Sequence, residues 1–109
     1  MIRQVGNLFA DLPRPTPDEH LDDLVRTPGF RVERIVSHGQ ASPEDFWYDQ
    51  ETAEWVMVVQ GRARLEIEER PVPVELGPGD WVFLPARCRH RVAWTDPDRA
   101  TVWLAVHES

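Results

Sequence analysis

From Phe30 onward, short apolar runs alternate with turn signals. Residues 30–37 alternate, with Val32 and Ile35–Val36 set among charged residues. Residues 55–59 are continuously apolar and stop at Gly61. Ala63, Leu65 and Ile67 then alternate with Arg64, Glu66 and Glu68, the period-two pattern of a half-exposed strand. Glu69-Arg70-Pro71 turns the chain into residues 72–76, where Pro73 places the strand at a sheet edge. Gly77-Pro78-Gly79-Asp80 is a tight turn leading into residues 81–84, and Pro85 ends that strand. Residues 90–95 and 100–107 form a last pair joined by Asp96-Pro97-Asp98-Arg99. Roughly seven or eight strands at this spacing predict an all-β antiparallel sandwich or barrel.

The leader reads differently. Thr16-Pro17-Asp18-Glu19 has the form of a helix start, with Thr16 to cap, Pro17 at the first helical position and Glu19 to close a capping box. Leu21, Leu24 and Val25 then share one face, and Thr27-Pro28-Gly29 stops the helix. The expectation is an N-terminal arm with a short helix over residues 1–29 and a β-barrel over 30–109.

At 109 residues the chain suits one core. Five Trp in that length favour a packed barrel over disorder. The net charge of −7 argues against nucleic acid, because phosphate binding needs clustered cations. Arg87, Arg89 and Arg91 are the one basic cluster, large enough for a small anion only. Residues 1–13 lack the form of a signal peptide, and no run is long enough to span a membrane. With a single cysteine, Cys88, an internal disulfide is impossible. A cytoplasmic protein without a membrane partner is expected.

Two positions carry candidate chemistry. Glu54 opens an apolar strand, and Gly61 follows it; His90 stands at a strand start after Pro85. Alone, each is ordinary: a solvated strand end and a half-buried imidazole. Taken together, in this order, they resemble the cupin superfamily over residues 30–107. Glu54 and Gly61 meet its first motif. Gly79, Pro85 and His90 meet its second, with Arg87 where that motif has a further Gly and Trp94 where it has Asn. The runs Trp47-Tyr48-Asp49-Gln50, Glu54-Trp55-Val56, His90-Arg91-Val92 and Trp94-Thr95 are similar to a group of small bacterial single-domain cupins.

The resemblance implies a jelly-roll barrel, a homodimer, and a pocket holding a divalent transition metal (Fe, Mn, Zn or Ni) or a small organic ligand. The paired histidines that usually precede the Glu in cupin metal sites are absent. Their places fall on Tyr48 and Gln50, or on Trp47 and Asp49. Glu54 and His90 remain, and two ligands hold a divalent ion poorly. Asp49 or Gln50 would supply a third, and strand alternation lets only one of them face inward. Tyr48, Arg87 and Trp94 are the expected pocket residues: a hydrogen-bond donor, an anion contact and a wall. Cys88, between two arginines, has the setting of a lowered thiol pKa but no partner base. Two functions stay open, a small enzyme on an organic substrate, an anionic one included, and a non-catalytic ligand-binding or sensor module.

Overall fold

In the computed structural model, which describes residues 4–109, the chain is an all-β structure of eight strands. These are β1 (His20–Arg26), β2 (Phe30–Ser37), β3 (Glu54–Gln60), β4 (Ala63–Ile67), β5 (Val74–Leu76), β6 (Trp81–Leu84), β7 (His90–Thr95) and β8 (Thr101–Glu108). They form an antiparallel five-stranded sheet, β1-β2-β8-β3-β6, and a three-stranded sheet, β5-β4-β7.

Alternation along β3 sets the inside. Glu54, Val56 and Val58 are buried, and Trp55, Met57 and Val59 take the other face. Val56 and Val58 join Ala63, Leu65, Leu76, Leu84, Trp103 and Ala105 in the core between the sheets. Removing that apolar surface from water is the main force closing the barrel.

Two backbone positions explain the motif spacing. Gly61 has φ +90°, and a Cβ there would stand 2.7 Å from Thr101 Cα, so the turn from β3 to β4 admits only glycine. Arg87 has φ +65°. The glycine that the resemblance calls for at this position would have met a real conformational demand, which Arg87 meets at a cost.

The expected N-terminal helix is not formed. His20–Arg26 is instead the edge strand β1, antiparallel to β2 with Leu21 opposite Ile35. Thr16 does not cap; its hydroxyl donates to the Asp18 carbonyl at 2.7 Å. So short a helix is marginal in water. The strand gains ladder bonds to β2 and two cross-strand ion pairs, Asp22–Arg34 at 2.8 Å and Asp23–Arg31 at 3.1 Å. No helix among the described residues is long and apolar enough to cross a membrane.

Candidate functional site

A cavity of about 200 Å³ lies between the sheets. Inward positions on β2 (Arg31, Glu33, Ile35), β3 (Glu54, Val56), β7 (His90, Val92) and β8 (Trp103, His107) line it. The loop before β3 adds Tyr48 and Gln50, and the segment entering β1 adds Glu19 and Leu21. The loop is tied down by a two-residue bridge. Tyr48 N–H donates to the His90 carbonyl at 2.7 Å, and His90 N–H donates back at 3.1 Å. The Tyr48 and His90 rings stack with centroids 5.3 Å apart.

Glu54 is the centre of the polar end. Its carboxylate is buried and accepts no hydrogen bond among the described residues. His90 Nε2 lies 3.9 Å from one oxygen and His107 Nε2 3.9 Å from the other. Burial pushes the Glu54 carboxyl above its ordinary pKa, and the two imidazoles only partly offset it. His90 Nδ1 is 2.9 Å from the Cys88 carbonyl, which can only accept, so this nitrogen carries a proton and Nε2 is the atom turned toward Glu54.

A second layer of charge stands behind this group. His107 Nε2 is 3.0 Å from Glu33 Oε1, and Arg31 Nη1 is 2.9 Å from Glu33 Oε2. Burial alone would raise the Glu33 carboxyl, but the His107 hydrogen bond and the Arg31 charge hold it below the usual range. Burial pushes the Tyr48 phenol up, which keeps it a hydrogen-bond donor.

The structure brings together four of the sequence-derived candidates, Tyr48, Gln50, Glu54 and His90. It sets three apart from the lining. Asp49 turns away from the cavity, its Oδ1 3.2 Å from Arg87 Nε on the exposed rim. Trp94 lies on the other face of β7, because the ladder to β4 slips by one residue between Val92 and Trp94, and its ring lies beneath the Arg64 guanidinium. Successive residues alternate sides, so Gln50 facing in requires Asp49 facing out. Cys88 departs from its expected setting: burial pushes its thiol up, and Glu69 adds to the effect. Sequence reasoning missed Glu19, Arg31, Glu33 and His107. The signal was present in alternation: Arg31, Glu33 and Ile35 share one face of β2, and Trp103, Ala105 and His107 one face of β8.

Glu54 and His90 would offer a divalent ion two adjacent donors. His107 Nε2 already serves Glu33, and Asp49 serves Arg87. Among the described residues no three His, Cys, Asp or Glu side chains converge on one point. As the side chains stand, this donor set does not fit a resident metal.

The family model described as "Cupin domain" matches residues 32–107. Comparison with curated proteins finds no match. A Ralstonia eutropha structure, described as a "putative mannose-6-phosphate isomerase", is 54% identical with a TM-score of 0.95, over 98% of this chain and 99% of that one. A cupin superfamily protein from Desulfitobacterium hafniense is 12% identical with a TM-score of 0.75, over 99% of this chain and 94% of its own. An RmlC-like cupin family protein from Methanocaldococcus jannaschii, with a double-stranded β-helix fold, is 18% identical with a TM-score of 0.70, over 99% and 92%. The last two likenesses show the fold.

Proposed function

This chain belongs to the cupin domain family, and from that premise we propose that its barrel cavity binds a small polyhydroxylated carbonyl compound and moves protons on it. The observation that carries this reading is Glu54, a buried carboxylate without a hydrogen-bond partner among the described residues, facing the cavity between two imidazoles. A carboxylate whose pKa is raised by burial is a stronger base than an exposed one, which suits it to removing a proton from carbon beside a carbonyl.

The chemistry balances within the pocket. Glu54 takes the proton from the carbon next to the carbonyl, and the electron pair moves to the carbonyl oxygen. An O–H or N–H donor, Tyr48 or a protonated His90, stabilises that oxygen as an enediol forms. Return of that proton to the former carbonyl carbon, while the hydroxyl on the first carbon gives its proton back to the donor, moves the carbonyl by one position with no net oxidation or reduction. The relative described as a "putative mannose-6-phosphate isomerase" supports this class of reaction.

The test is to incubate the protein in D₂O with a panel of small aldoses and ketoses and follow deuterium entering the carbon beside the carbonyl by NMR. Wash-in that Glu54→Gln abolishes supports the proposal. Saturable binding with no wash-in for any compound would overturn it in favour of a non-catalytic binding module.

The homodimer is part of the same proposal. The edge strand β6 exposes Trp81 (59%) and Phe83 (55%) beside Trp55 on β3, an apolar outer face that a second copy would cover.

A further inference from the structure

Charge is unevenly placed along the cavity. Three carboxylates, Glu19, Glu33 and Glu54, line it against a single guanidinium, Arg31. That guanidinium is already balanced, with Nη1 3.1 Å from Asp23 and 2.9 Å from Glu33. The two imidazoles that line it stand beside Glu54.

Glu19 stands on the β1 side of the cavity, against Ser37 of β2 and within reach of the Glu33 charge. Ser37 is fully buried; its hydroxyl donates to Glu19 Oε2 at 3.1 Å and accepts from Trp103 Nε1 at 3.1 Å. This relay from β8 through β2 fixes the carboxylate of a residue that precedes the edge strand. The other oxygen, Oε1, accepts no hydrogen bond, and no cation pairs with Glu19 among the described residues. Burial pushes its carboxyl above the ordinary value, opposed by the Ser37 hydrogen bond. An unpaired acceptor held in place on a cavity wall is a recognition element that lacks its donor.

We infer that Glu19 determines specificity: it receives an O–H or N–H donor of the ligand, so the cavity takes neutral or ammonium-bearing molecules and rejects phosphorylated ones. The inference rests on the cavity being a ligand site, as proposed above, and narrows the ligand class. A phosphate beside Glu19 would meet an acceptor-only group to which no cation is paired among the described residues. The phosphosugar in the description of the Ralstonia eutropha relative would therefore be a poor ligand here.

The probes are mannose, mannose 6-phosphate and 2-amino-2-deoxymannose, measured by calorimetry on the whole chain. Wild type is expected to bind the neutral and amino sugars at least about tenfold more tightly than the phosphate, the scale of a hydrogen bond to a charged group. Glu19→Gln should cut that ratio about tenfold, by weakening the amino sugar and improving the phosphate. Ser37→Ala, which frees the carboxylate from its relay, should cut it in the same direction with Glu19 retained. Equal or tighter binding of the phosphate by wild type, or an unchanged ratio in both variants, overturns the inference and leaves the cavity as a ligand site. If none of the three sugars binds, the sugar-site proposal falls and the inference with it.

Discussion

His107 Nε2 and Glu33 Oε1 are 3.0 Å apart, a diagonal contact between β8 and β2, since the register partner of His107 is Arg31. The contact couples the last strand to the second at the polar end of the cavity. It also lets Glu33 hold the proton-bearing edge of His107 away from Glu54.

Glu33→Gln tests that coupling through stability. The Glu33 carboxyl is held below its ordinary pKa, so its stabilising contribution is present above the unfolded value near 4.5 and is lost as pH falls through the lowered folded value. The variant should be less stable than wild type by about 1–3 kcal/mol at pH 7. The gap should narrow steadily below pH 4.5. Urea unfolding across pH 3–8 measures this, and a pH-independent gap would contradict it.

Glu54→Gln should move activity and stability in opposite directions. The substitution removes a buried charge that accepts no hydrogen bond among the described residues and keeps the shape of the side chain. Stability at neutral pH should rise by about 1 kcal/mol, the lower range for relieving a buried polar group. For a chain of this size that is about 4–8 °C in Tm. Scanning calorimetry reads it; a clear loss of stability would mean that Glu54 has a structural partner.

The strands were legible because a period of two survives any tertiary context that buries one sheet face. The helix was misread because Leu21, Leu24 and Val25 fit a helical face as well as a strand with a bulge, which β1 contains between Asp23 and Val25. What decided it was the open edge of β2 carrying Arg31 and Arg34 opposite two aspartates, a nonlocal fact. Glu54 and His90 stand at motif positions and could be found locally. Glu19, Glu33 and His107 come from three distant segments and share a cavity only once the barrel closes. The Asp49–Gln50 choice follows from alternation in kind, but its direction was set by the Tyr48–His90 bridge.

Arg87→Gly is expected to stabilise the fold. Holding a non-glycine residue at φ +65° costs about 1–2 kcal/mol, against about 0.5–1 kcal/mol of extra chain entropy for glycine. The Asp49 ion pair lost with it is exposed and contributes little. The net gain should be about 0.5 kcal/mol, visible as a higher urea midpoint with an unchanged slope. A lower midpoint would show that the rim pair matters more than the backbone.

Disrupting the apolar face should separate the expected dimer. Trp81→Glu with Phe83→Glu places two charges on exposed positions of β6 and removes nothing from the core. Light scattering behind a sizing column should show a dimer for wild type and a monomer for the variant, with far-UV circular dichroism unchanged. A monomeric wild type would end the proposal.

Restoring histidines at the two cavity-facing positions before Glu54 should create a metal centre. Tyr48 and Gln50 line the same cavity as Glu54 and His90, and both lie two residues apart on its wall. Tyr48→His with Gln50→His would bring three imidazoles and a carboxylate together, a donor set suited to zinc or nickel. Elemental analysis after zinc loading and dialysis against a weak chelator should give about one equivalent for the double variant. Wild type, with His107 committed to Glu33 and Asp49 to Arg87, should retain well under a tenth of that, roughly the loss expected from two missing ligands. Stoichiometric zinc in wild type would show that His107 or Gln50 reorients to complete the site. A variant that folds yet stays metal-free would show that the Tyr48–His90 bridge holds the loop at the wrong distance from Glu54.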